Sequence, residues 1–295
     1  MKKPNLFYAE TRTKISTIIQ KCIFTLSFLL LNLTVFSNPK FPTKEQIGMF
    51  KNSITCVVLE DGISFYNGYI KDAVHKFWKS TEYEFISTEE FEKRRTDSKF
   101  SFLVLTENAY DNDPQGVSYR CINLVLGYPN TNLTRMPELC SIPLSYAGDK
   151  DTDYEYAMPS IVKFIQKHAN NLESKRFLIW LNGLKYYNGS TEFKDKVLLL
   201  NTDGMALYVD TPERIKVVYP YYIKLLSSSE IEAEIATNPS NALFLFHVGP
   251  AADSGAGKCF EMIFDVAGNL YYYNSRKITN DNKDGFNMKD FKNIN

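Results

Sequence analysis

The residue types best suited to covalent chemistry converge near the C-terminus. Cys259 and His247 lie in two neighbouring strand-like runs. Adjacent strands can bring such a thiol to an imidazole, the arrangement of a Cys–His hydrolase in which the imidazole frees a thiolate. Residues 252–259 (ADSGAGKC) nearly spell a phosphate-binding loop. That loop needs Ser or Thr after its Lys to hold magnesium, and a helix whose N-terminal amides receive phosphate. Here Cys259 takes the metal position and residues 259–264 alternate like a strand, so the segment reads as a hairpin connection. No Gly-x-Ser-x-Gly nucleophile elbow occurs.

Three acidic stretches place oxygen ligands at alternate positions: Asp111 with Asp113, then Asp149, Asp151 and Asp153, then Asn280, Asn282 and Asp284 before Gly285. A calcium loop also requires an acidic twelfth residue, where these have Ile122, Ser160 and Phe291. The third, with its Gly, is the best of a weak set, and Asx-rich turns explain all three. The histidines His75, His168 and His247 are not at zinc-ligand spacing and there is no Cys-x-x-Cys, so neither a metal nor another cofactor is expected. Two aromatic clusters remain, Tyr219, Tyr221 and Tyr222, and Tyr271 to Tyr273. Neighbouring strand residues face opposite ways, so each cluster is expected to turn a ring outward. Tyr219, Tyr221, Tyr222, Tyr271 and Tyr273 are therefore the ligand-binding candidates, with cross-strand packing as the alternative. Asn132 and Asn188 head glycosylation sequons that matter only in a eukaryotic secretory route.

The elements that must carry these residues read as α/β. Residues 54–59 (ITCVVL) form a strand closed by Asp61 and Gly62. Tyr69, Ile70, Ala73, Val74, Phe77 and Trp78 share one helical face. Residues 83–86 make a short strand, Ser87 and Thr88 offer a helix N-cap, and strands follow at 102–105, 119–126 and 139–144. Residues 154–172 are the clearest helix, with Pro159 confined to its first turn. Residues 177–181 (FLIWL) open a second half. That half repeats the first: 225–232 parallels 85–92 at an offset of 140, 242–246 parallels 101–105 at 141, and 258–263 parallels 120–125 at 138. The expected architecture is a tandem of two related α/β units with mixed sheets, at 38–150 and 176–295, joined by a helix at 151–175.

Residues 1–37 read as a cleavable export signal. Lys2, Lys3, Arg12, Lys14 and Lys21 precede an uncharged run at 22–36, and Val35 and Ser37 suit the −3 and −1 positions of a cut. The run is shorter than a spanning helix, so once the signal is cut no stable membrane span is expected; retention as a signal anchor is the alternative. Without residues 1–37 the chain holds 29 basic and 33 acidic residues, a mild acidity that argues against nucleic acid as partner. Cys56, Cys121, Cys140 and Cys259 then remain, either as buried apolar fillers or as disulfides. Cys121 with Cys140 is the leading pair, because neighbouring strands carry them.

The strand–helix order with residues 83–92 (YEFISTEEFE) resembles small α/β units of curli-secretion and penicillin-binding-protein-activator envelope proteins. The second half, with Leu270 to Tyr273 and residues 285–292 (GFNMKDFK), resembles uncharacterised exported proteins of Gram-negative bacteria. The resemblance implies a periplasmic or extracellular protein and transfers no catalytic residue. A non-enzymatic envelope protein that binds a protein or a surface polymer is the expectation, with the Cys–His hydrolase as its competitor.

Overall fold

The computed structural model describes residues 41–109, 118–130, 132–147, 151–192, 194–209, 211–237, 239–250 and 256–295, with the backbone alone at 151–153. The leader, Asp111, Asp113, Asp149 and residues 252–255 of the near-phosphate loop lie outside the described residues.

Two five-stranded mixed sheets are built the same way. The first comprises β1 (Ile54–Val58), β2 (Glu82–Ile86), β3 (Phe100–Ala109), β4 (Ser118–Leu126) and β5 (Glu138–Tyr146), in the order β2-β1-β3-β4-β5. The second comprises β6 (Val197–Asn201), β7 (Ile223–Leu226), β8 (Ala242–Val248), β9 (Lys258–Asp265) and β10 (Leu270–Lys277), in the order β7-β6-β8-β9-β10. In each sheet the first three strands pair in parallel, and the last two are added antiparallel. Each parallel pairing needs a crossover, which α1 (Lys44–Lys51) precedes and α2 (Phe65–Phe77) and α3 (Thr88–Arg94) supply in the first half. In the second half α5 (Pro212–Lys216) and α6 (Ser228–Thr237) do so, and α7 (Met288–Asn293) ends the chain.

The repeat is sharpest where local chemistry sets it. The Ser87 hydroxyl accepts the amide of Glu90, and the Ser227 hydroxyl accepts that of Glu230, at the offset of 140 that the sequence shows. Phe91 and Ile231 follow at the same offset and both are buried. Elsewhere the alignment slips against the sheet. Leu103 pairs with Leu124, which offsets of 141 and 138 would map onto Phe244 and Met262, yet Phe244 pairs with Phe264. Element order is thus repeated more faithfully than residue position, because strand registry answers to each half's own packing.

Between the sheets lies α4 (Met158–Asn182), entered through a 3₁₀ segment at Asp151–Ala157 with Pro159 in the first turn, where no amide is lost. Ile161, Val162, Phe164, Ile165, Ala169 and Leu172 are buried at helical spacing. They join one core with Leu103, Ile122 and Ile142 of the first sheet and Phe244, Phe246, Met262 and Phe264 of the second. The Phe164 and Phe264 rings meet at 5.6 Å, so Phe164→Ala would open a cavity costing about 3–5 kcal/mol. The Tyr119 hydroxyl donates to the Lys258 carbonyl at 2.6 Å and accepts the Lys258 amide at 2.7 Å, tying β4 to β9.

The helix is longer than the sequence suggests, and this corrects the start of the second half. Residues 177–181 continue α4, so the connecting helix runs past 175 to Asn182. Five apolar residues in a row satisfy a strand pattern as well as a helical one; the unbroken amide ladder from Met158 settles them as helix until Gly183, at φ +56°, ends it.

Candidate functional site

A buried cluster of charges forms where β8, β9 and β10 lie side by side. His247 stands directly opposite Glu261, and Glu261 stands opposite Asn274. Cys259 is two residues before Glu261 and opposite Arg276. With side chains alternating along a strand, His247, Cys259, Glu261, Asn274 and Arg276 all point to one face of the sheet. The C-terminal segment lies over that face and adds Asp284 and Asp290. It is held there by backbone pairing: the Phe286 amide donates to the Gly204 carbonyl at 2.7 Å, and the Ala206 amide donates to Phe286 at 3.1 Å. Gly285 sits at φ +93°, and a Cβ there would lie 2.5 Å from the Ala206 amide nitrogen, so only glycine lets the segment approach.

Asp290 is fully engaged. It accepts the Tyr272 hydroxyl at 2.9 Å, the Asn274 side-chain amide at 2.9 Å and Arg276 Nη1 at 3.0 Å, and it caps its own helix through the Asn287 amide at 3.0 Å. Arg276 Nη1 also lies 2.7 Å from Glu261 Oε1, and His247 Nε2 lies 3.2 Å from Asp284 Oδ1. These ion pairs are close but poorly aligned. His247 Nδ1, both Glu261 oxygens, Arg276 Nε and Asp284 Oδ1 are buried without a hydrogen-bond partner.

Three carboxylates here face two bases, so burial favours keeping one acid protonated. Glu261, with no exposed surface, takes that role. Burial and then the Asp290 charge push its pKa up to about 7, outweighing Arg276 and His247, which pull it down. Burial works against the His247 imidazolium, but the close contact and charge of Asp284, with Glu261, lift it above the ordinary histidine value. The arrangement can therefore hold a proton near neutral pH. It offers no nucleophile: Cys259 is fully buried, and burial followed by the Glu261 charge drives its thiol pKa far upward, the reverse of thiolate activation.

The structure thus brings Cys259 and His247 onto one face, as the sequence suggests, and places Glu261 opposite the histidine. Of the calcium candidates, Asp284 is drawn to His247 and the Asn282 side chain donates to the Lys277 carbonyl. Asn280 is exposed on the turn before them. No group of three His, Cys, Asp or Glu among the described residues is placed to hold a metal ion.

The first tyrosine cluster turns Tyr222 outward, while the cluster at 271–273 turns no ring fully outward. Tyr219, Tyr271 and Tyr272 are buried, Tyr221 and Tyr273 are half-buried, and Tyr222 alone of the set is exposed. A bulge between Leu270 and Tyr272 breaks the alternation on which the outward ring depended. The Tyr271 hydroxyl lies 3.0 Å from both Asp265 and Glu192 and shares its one proton between them, and Tyr272 donates to Asp290. Buried packing accounts for Tyr219, Tyr221, Tyr271 and Tyr272, and leaves Tyr222 at the surface.

The Cys121–Cys140 disulfide is not formed; Cys56, Cys121, Cys140 and Cys259 are all free and buried. Register explains why. Cys140 lies opposite Leu124 and Cys121 opposite Pro143, so the two sit three residues out of step, roughly 10 Å along the strands. His168 is a core residue whose Nδ1 meets the Tyr187 hydroxyl at 2.9 Å, and burial lowers its pKa to about 4. His75 on α2 contacts the Tyr83 hydroxyl at 3.0 Å.

Neither a protein-family model, nor a curated protein, nor a solved structure matches the chain.

Two surface features lie along α4. A groove of about 600 Å³ runs between α2 and α4, with Lys51, Lys79, Lys163 and Lys167 on its walls. Most of that charge is engaged: Lys51 pairs with Glu173, Lys163 donates to the Val266 carbonyl over the Phe77 ring, and Lys167 donates to Asn269. The other feature is the end of α4. Phe177 is 66% exposed, Trp180 59% and Leu181 62%, with Leu178 beside them and Ile179 alone turned inward. The three- and four-residue spacing of Phe177, Trp180 and Leu181 is the signal that a helical reading would have found. No described helix is long and apolar enough to cross a membrane.

Proposed function

We propose that this chain is an exported protein of the cell envelope that works by binding and not by catalysis. The basic leader followed by an uncharged run supports export. The Cys259–His247 alternative is weakened by a thiol that is sealed from solvent and held protonated. The buried cluster is read as structural: it fastens the C-terminal segment across β8, β9 and β10.

The observation that carries the reading is the exposed end of α4. Four large apolar side chains within five consecutive residues, two of them aromatic, make a contiguous patch of the kind that marks a contact surface.

A photoreactive amino acid placed at Leu181, and as control at Val217, tests it in producing cells. Val217 is also exposed, on the other half of the protein. Adducts with envelope components are expected from position 181 and not from 217. Adducts from neither position, or equally from both, would contradict the reading.

A further inference from the structure

We infer that the end of α4 seats on the surface of an anionic lipid bilayer, which deepens the binding reading above and rests on it. The composition of the patch is interfacial. Phe177 and Trp180 lie with ring centroids 6.0 Å apart, and Leu178 and Leu181 flank them. Trp, Phe and Leu on one side with Lys or Arg at the margin is the pattern of elements that lie in the headgroup region. Residues 175–191 carry Lys175, Arg176 and Lys185 and no acidic residue, and Glu173 one turn before Phe177 is matched by Lys51, so this end of an otherwise mildly acidic body carries a local excess of positive charge. Anionic headgroups match that charge. The same segment of a second copy offers only further cations and no matching anion.

The path of the chain points the same way. The described residues begin at Phe41, whose ring lies 5.5 Å from the Arg176 guanidinium, and Arg176 Nε donates to the Pro42 carbonyl at 2.8 Å. The polypeptide therefore enters the fold one residue from Phe177. The sequence just before that entry holds the 15 uncharged residues of the leader's apolar run. Arg176, bonded to the entering chain, helps fix the geometry, and Lys175 and Lys185 remain exposed to meet phosphates.

The chain has two tryptophans, Trp78 and Trp180, and Trp78 is buried in the core. Full-length Trp78→Phe protein therefore reports on Trp180 alone. It would be titrated with phosphatidylglycerol vesicles carrying brominated acyl chains, and with phosphatidylcholine vesicles of the same kind. The expected result is a blue shift and quenching of Trp180 with the anionic vesicles and much less with the zwitterionic ones. Adding Phe177→Ser and Leu181→Ser should raise the lipid needed for half-quenching roughly tenfold or more; both sites are exposed, and circular dichroism checks that the fold persists. Unshifted, unquenched Trp180 in protein that still floats with vesicles would overturn the inference, since the leader alone would then hold the lipid. A blue shift without lipid that grows with protein concentration would overturn it in favour of a second copy. Protein adducts at position 181 with an unquenched Trp180 would sink the bilayer and leave the binding reading standing; neither adducts nor quenching would sink both.

Discussion

Replacing Glu261 by Gln probes the buried cluster most sharply, because it keeps the side chain's shape and removes its titration. Glu261 has a pKa of about 7 in the folded protein against an ordinary value of 4.5. A group whose folded pKa is raised lends its full stabilisation below the unfolded pKa and loses it as pH climbs through the folded one. Over the window from about pH 5.5 to about pH 8.5, a site moving from 4.5 to 7 gives up about 2 kcal/mol. His247 is shifted in the same direction, so it adds to the loss. Arg276, 2.7 Å from Glu261, opposes the shift but is outweighed by burial and Asp290. Urea unfolding followed by circular dichroism at both pH values should show the wild type losing about 2 kcal/mol more than Glu261→Gln. Parallel pH profiles, or a wild type that gains stability as pH rises, would refute the reasoning and mean that the Arg276 pair rules the site.

Arg276→Leu leaves Glu261 and Asp290 without their shared guanidinium and should cost about 3–5 kcal/mol, read as a fall in urea midpoint. Gly285→Ala should destabilise by about 2 kcal/mol or more, since the new Cβ meets the Ala206 backbone. Gly189→Ala, at φ +96° in open space, is its control and should cost only the backbone term of about 1 kcal/mol. Thiol titration of the folded protein should leave Cys56, Cys121, Cys140 and Cys259 unreacted, and unfolding without reductant should release all four; fewer than four would reveal a disulfide.

Local chemistry was readable wherever one short stretch determines the outcome. The serine caps at Ser87 and Ser227, the Pro159 start of α4 and the apolar strands of both halves follow from neighbouring residues, and the α/β tandem follows from their order. What failed did so for lack of long-range information. Residues 177–181 are ambiguous until the helix before them is known, and the tyrosine faces depend on a bulge. Cys121 and Cys140 lie on neighbouring strands as expected, but pairing register separates them. The site behaved likewise. Cys259 and His247 were visible as strand neighbours, while Glu261, Arg276, Asp284 and Asp290 emerge only when β10 and the C-terminal segment are laid against them. Those residues are what convert an apparent nucleophile pair into a proton-holding clasp.

Hydrogen–deuterium exchange of the full-length protein, with and without membranes from producing cells, tests the account most directly. Slowed exchange confined to residues 175–187, with residues 247–290 unchanged, is the result expected if the end of α4 binds and the charged cluster is structural. Protection over 247–290 with none at 175–187 would contradict it and return the functional site to His247 and its neighbours.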